Sequence, residues 1–348
     1  MRKVPVVLAA ALAVSLAGCT LTEGDSDTGS GGKKVVLVTH DSWAAPKDLL
    51  DEFKNDTGIT IDVRKVGDAG ALTNQLVLTK DDPIGDIAFG VDNTFASRAL
   101  EENVFAAYRS PDADKGAQRY QVDDSGRLTA IDTGDVCLNI DPAAFAAKRV
   151  PEPKTYADLT KTEYRDMLVV EDPATSSPGL AFLLGTIASL GEDGWREYWV
   201  ALKGVGMKVV SGWEEAYTQD FSGSSGQGDR PIVVSYASSP AAEVGKDGKP
   251  ATKALLDTCF RQVEYAGVLN GAKDPDSARK VLDFLLSEKF QAAVPESMYV
   301  YPARSGVELP KAWQQAAPQP KSSATLPPAD IQQNRERWID EWRGLVQG

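Results

Sequence analysis

The chain has 348 residues, 42% of them hydrophobic and 25% charged, with 50 Asp and Glu against 37 Lys and Arg and a formal charge of −13. That length supplies two ordinary domains or one large two-lobed one, and the hydrophobic content excludes an intrinsically disordered chain. The acidic balance argues against nucleic acid or an anionic membrane surface as main partner, and three Cys with one His cannot build a four-ligand zinc cluster of cysteines and histidines.

Arg2 and Lys3 precede an apolar stretch from Val4 to about Leu16, which is too short to span a bilayer comfortably. Leu16-Ala17-Gly18-Cys19 follows and resembles a bacterial lipobox. The pattern predicts a lipoprotein signal peptide over 1–18, removed before Cys19, with a lipid on the Cys19 thiol. Residues 19–33 are rich in Gly, Ser, Asp and Thr and read as a flexible tether. Cys137 and Cys259 then remain. In an oxidising compartment the expectation is a disulfide between them, the alternative being two buried free thiols.

The body alternates strand and helix signals. Val35 to Thr39 is a continuous apolar run, the pattern of a strand buried on both faces. A helix over 46–55 carries Leu49, Leu50 and Phe53 on one face and stops at Gly58. Strand 59–63, helix 71–78 and strand 86–89 complete a β-α-β-α-β succession, which predicts a parallel sheet covered by helices. In such sheets ligands collect beyond the carboxyl ends of the strands, here near Asp41, Asp68 and Asp92. The second half repeats the theme with strand 168–171, helix 180–190, and strands 208–210 and 232–235. One long periodic helix is expected over 277–293, and a terminal helix over 331–346 carries Trp338 and Trp342 as a packing stripe.

Catalytic constellations are weak. Any Ser-His-Asp arrangement must use His40, the single histidine, and no Gly-x-Ser-x-Gly elbow is present. His40 reads as a satisfied or pocket-lining residue. No phosphate-cradling glycine motif occurs, so no cofactor is expected. What recurs is a loop after a strand bearing aromatic or small polar residues: His40 to Trp43, Thr175 to Ser177, Gly212-Trp213, Tyr236 to Ser239, and Met298 to Tyr301. Aromatic faces with carboxylates nearby suit a delocalised cation. Thr175 to Ser177 before Pro178 is a helix-start signal whose free N–H groups suit a hydroxyl or phosphate.

Thr39 to Ala44, Gly90 to Asn93, Glu171 to Leu180, Gly212 to Tyr217, Ser235 to Pro240 and Trp338 to Trp342 stand in an order that resembles periplasmic thiamine-binding proteins of ABC transporters. The resemblance covers the chain after the tether. It implies an α/β, two-lobed type II periplasmic-binding-protein-like fold, with the ligand cleft between lobes joined by hinge strands. It also implies no enzymatic activity. By the resemblance, thiamine or a thiamine phosphate contacts Asp68 and Ala69, then Ser176 and Ser177 at the hydroxyethyl or phosphate end, then Trp213 and the run Tyr236, Ala237, Ser238 and Ser239. Asp41 and Asp92 act as charge complements to the thiazolium. Two departures stand out: Tyr299 occupies the place of a family indole, and Ala242 that of a second aromatic.

The expected domains are an N-lobe of 34–135 plus about 262–302 and a C-lobe of 136–261 plus about 303–348, crossing near Asp135 to Ile140 and Arg261 to Tyr265. The expected protein is a monomer held outside the cytoplasmic membrane, touching the bilayer through its lipid alone, binding no nucleic acid or metal, and delivering its ligand to an ABC permease. The rival readings are the same fold binding a polyamine or another cationic solute, and a secreted hydrolase.

Overall fold

The computed structural model describes residues 32–224 and 228–348. The expected signal peptide, Cys19 and the tether up to residue 31 lie outside the described residues. Among the described residues no helix is long and apolar enough to cross a membrane.

The first half holds β1 (Lys33–Thr39), α1 (Lys47–Thr57), β2 (Ile59–Lys65), α2 (Ala69–Leu78), β3 (Ile87–Asp92) and α3 (Ala96–Glu101). Strand β1 pairs in parallel with β2 and β3, and β3 is buried along its whole length because helices cover both faces. The second half runs through β4 (Thr129–Ile140), α4 (Pro142–Lys148), β5 (Leu168–Glu171), α5 (Ser177–Gly204), β6 (Lys208–Val210), α6 (Trp213–Glu215) and β7 (Ile232–Tyr236). Here β5 pairs in parallel with β6 and β7. The chain then continues as β8 (Lys253–Val268), α7 (Pro275–Leu285), α8 (Glu288–Met298), β9 (Tyr301–Pro302), α9 (Lys311–Ala316) and α10 (Pro328–Val346).

Strands β4 and β8 join the two parallel groups. They pair with each other antiparallel, β8 also pairs with β3, and β4 with β7. The resulting sheet runs β2-β1-β3-β8-β4-β7-β5-β6, with β9 attached to β4. The β4–β8 ladder is interrupted by register shifts at Ala130/Asp132 and Val136/Leu138, and such bulges raise local twist and let a ladder bend. This is the two-lobed α/β architecture, with long shared strands between the lobes.

The single helix expected over 277–293 is two. Ser287 takes an extended backbone conformation and its hydroxyl accepts from Phe290 N–H at 3.2 Å, capping α8. The apolar period survives the break because Val281, Leu282 and Leu285 on α7 and Phe290 and Val294 on α8 all face the core. Helix α5 extends to Gly204, well beyond residue 190, across a break at Gly191. Trp342 on α10 is buried edge-on against Trp199, ring centroids 5.5 Å apart, and Trp338 is buried beside it, so this pair is a packing stripe.

Cys137 and Cys259 form a disulfide linking β4 to β8 across 122 residues of sequence. It sits at the Val136/Leu138 register shift, packed against Ala237. A cross-link over so long a loop restricts the unfolded chain. Replacing both cysteines by serine is expected to cost about 2–4 kcal/mol, read as a lower urea midpoint against the oxidised wild type. An unchanged midpoint, or two titratable thiols at these positions in the denatured, unreduced protein, contradicts the linkage.

Candidate functional site

A cleft of about 600 Å³ opens where β1, β7 and β8 converge, walled by residues from α6 and from the turn after α8. Its aromatic wall is Trp213, Tyr217, Tyr236 and Tyr299. Trp213 stacks on Tyr217 with centroids 4.9 Å apart and rings 17° from parallel, and its Nε1 donates to Ser235 Oγ at 2.9 Å. Ser235 Oγ in turn lies 2.7 Å from Ser239 Oγ, which accepts from Tyr236 N–H at 3.1 Å. This chain of hydrogen bonds fixes the indole and the β7 end together. Tyr236 crosses β4 at Gly134, where a Cβ would stand 2.7 Å from the ring, so only glycine admits the ring at that depth. Tyr299 adopts a left-handed backbone and stacks on Trp313 at 6.3 Å, presenting its other face to the cleft.

The floor is acidic. Asp68 caps α2, accepting from Ala69 N–H at 2.6 Å through Oδ1 and from Trp213 N–H at 3.0 Å through Oδ2. Glu264 reaches the cleft from β8, and its Oε1 lies 3.4 Å from His40 Nε2. The His40 ring lies flush on Gly90, whose positive φ of 102° and missing side chain leave the space; a Cβ there would meet His40 Cδ2 at 2.1 Å. Burial alone would lower the His40 pKa, but Glu264, Asp68 and Asp41 outweigh it and raise it above 6.5. Behind Glu264, in register on β4, stands Asp132, fully buried with neither oxygen hydrogen-bonded to a donor. Burial and the neighbouring Glu264 push Asp132 well above the usual carboxylate range.

The expected site residues divide into two groups. Asp68, Trp213, Tyr236, Ser239 and Tyr299 meet in the cleft, together with Ala242, and Asp41 lines an adjoining groove shared with Asp68 and Trp213. Asp92, Ser176, Ser177, Ala69, Ala237 and Ser238 are buried outside the cleft wall, and most are engaged with other protein groups. Ser177 Oγ donates to Asp92 Oδ2, while Asp92 Oδ1 accepts from Thr94 and Phe95. Ser176 caps α5, Ser238 Oγ donates to Tyr299 O at 2.5 Å, and Ala237 N–H donates to Asp135 O at 2.8 Å. Among the described residues, three hydrogen bonds tie the β1–β3 segment to the β5–β7 segment: Asp68 with Trp213, Ala71 N–H with Thr175 O at 3.1 Å, and Asp92 with Ser177, and α10 adds Arg335 to Ser97 and Gln332 to Glu101. Sequence reasoning passed over Glu264. Its signal was an acid set within the otherwise apolar run of strand β8 from Val263 to Val268.

The pattern of the bacterial extracellular solute-binding protein family matches residues 82–334. A thiamine-binding periplasmic protein of Brucella abortus is 28% identical over 322 residues, covering 89% of this chain and 91% of the relative. Its Escherichia coli counterpart is 27% identical over 323 residues, covering 90% and 93%. A solved periplasmic thiamin binding protein superposes with a TM-score of 0.80 at 25% identity, over 90% of this chain and 96% of that one. Iron-bound HitA from Pseudomonas aeruginosa shares the fold at 19% identity and a TM-score of 0.69, over 90% and 99%.

Asp92 supplies a test of the contact with Ser177. Burial raises its pKa to about 6 even though the Ser177 and Thr94 hydrogen bonds pull it down. A carboxyl whose folded pKa lies above the unfolded 3.8 holds its proton more tightly when folded, so stability falls as pH rises from about 4 to about 6 and is constant above that. Asp92→Asn is expected to be more stable than wild type by about 1–3 kcal/mol at pH 8 and nearly equal at pH 4, measured by urea unfolding. A pH-independent difference contradicts the assignment.

Proposed function

The chain belongs to the bacterial extracellular solute-binding protein family, and from that premise we propose that it captures thiamine outside the cytoplasmic membrane and delivers it to an ABC importer. It is a binding protein and not an enzyme, as its relatives are. The observation that carries the thiamine reading is the cleft itself: Trp213, Tyr236 and Tyr299 face a floor carrying Asp68 and Glu264. Aromatic faces attract a delocalised cation through the ring quadrupole, and carboxylates in a confined cleft add a matching charge. The names of the relatives point the same way.

In this reading residues 34–135 with about 262–302 form one lobe and 136–261 with about 303–348 the other. Strands β4 and β8 serve as the hinge, and the three contacts across the cleft belong to the closed form. Ligand binding then selects closure and changes no bond in the ligand. Lipidation at Cys19 would hold a monomeric carrier beside its permease. Thiamine phosphates are included as ligands, and a polyamine is the competing cation.

Calorimetric titration with thiamine, thiamine phosphates and spermidine tests the reading. Thiamine is expected to bind and quench tryptophan fluorescence, with no product after hours of incubation. Spermidine binding without thiamine binding selects the polyamine reading, and turnover of thiamine rejects the carrier. Trp213→Ala is expected to weaken thiamine binding about 10-fold or more, in the range of aromatic anchors. Gly134→Ala should weaken it as well by driving the Tyr236 ring into the cleft, and thiamine affinity equal to wild type in both variants would remove these rings from the site.

A further inference from the structure

Of the acids that reach the cleft, Asp68 has both oxygens committed to backbone N–H groups, while Glu264 has neither oxygen bonded to a backbone donor. Among the described residues, the side chain beside Glu264 that can take a positive charge is the imidazole of His40, whose Nε2 is buried and makes no hydrogen bond of good geometry, only the 3.4 Å approach to Glu264. Asp132 stands behind Glu264 without any other partner. Such an arrangement is poorly satisfied as it stands: two carboxyls face each other, and the cation that offsets them sits at an imperfect distance.

Resting on the thiamine reading above, we propose that Glu264, backed by Asp132 and His40, is the group that matches the fixed positive charge of the ligand, and that capture of the cation expels a proton from His40 to solvent. The cleft then exchanges one cation for another. In the empty cleft the imidazolium offsets Glu264. When a permanent cation arrives beside the carboxylate, the imidazolium meets a like charge and loses its N–H proton to the bulk, leaving a neutral ring. The groups facing His40 are Glu264 from β8, Asp41 and Asp68 from the loops after β1 and β2, and Phe89 and Gly90 from β3. The groups facing Glu264 are Asp132 from β4, Asp92 from β3 and Tyr236 from β7. No Lys or Arg is among them, so His40 alone supplies a releasable proton from a cationic side chain. Since the free protein binds the proton more tightly than the complex does, affinity should rise with pH through the raised His40 value, above 6.5, and then level off.

Calorimetry of the wild-type protein with thiamine in buffers of different ionisation enthalpy reads the proton directly. The observed enthalpy is expected to vary linearly with that of the buffer, with a slope corresponding to release of up to one proton per ligand. Glu264→Gln is expected to lose about 10- to 100-fold in affinity for thiamine. It should lose less than about 3-fold for the neutral analogue in which thiophene replaces the thiazolium, whose binding lacks the charge pair. His40→Gln should flatten the pH dependence. A buffer-independent enthalpy overturns the exchange, and equal losses for both ligands in Glu264→Gln overturn its role as counter-charge. The wild-type measurement needs no variant, so misfolding of Glu264→Gln cannot shelter the proposal. Absence of thiamine binding to the wild type overturns the functional reading as well, which separates the two failures.

Discussion

Asp132 and Glu264 stand opposite each other in the β4–β8 ladder, and two buried carboxyls at that spacing cannot both be charged. The rest of the cleft follows from this constraint. Burial and Glu264 push Asp132 toward its protonated form, and the single histidine of the chain is brought beside Glu264 by packing its ring on Gly90. Protein stability suffers from such a cluster, because a well-packed apolar set of the same volume needs no desolvated charge. On the reading proposed above, that cost belongs to a site for a positively charged ligand.

The β4–β8 pair has a mechanical role too. These strands carry the charge cluster, the disulfide and two register shifts within about a dozen residues of each other. In the hinge proposed above, a bend at the bulges moves the aromatic wall relative to the acid floor. Trp213 belongs to the wall, yet its backbone N–H is held by Asp68 of the floor. Opening the cleft must break that hydrogen bond together with the one between Ser177 and Asp92.

Much of this was legible in the sequence. The apolar run of β1 and the apolar periodicity of α7 and α10 gave the layered α/β arrangement, and loops after strands gave Asp68, Trp213, Tyr236 and Tyr299. The break at Ser287 was not legible, because a serine in a helix-period segment reads equally as a surface position or a cap; only the extended backbone there decides. The full lengths of β4 and β8 were hidden as well, since acids such as Asp132, Asp135 and Glu264 interrupt the apolar pattern that marks a buried strand. One of them, Glu264, lines the cleft. The burial of Ser177 and Asp92 depends on how the two sides approach each other, which no local pattern encodes.

The three contacts that span the cleft are made entirely by the protein: Asp68 with Trp213, Ala71 with Thr175, and Asp92 with Ser177. In the carrier proposed above, such contacts favour closure with or without ligand, and the ligand adds its binding energy to theirs. An importer that sensed shape alone would be occupied by decoys and run idle cycles. On that proposal, discrimination between full and empty carriers rests on how long the shut form lasts, because a molecule lodged in the cleft slows reopening without redrawing the outer surface.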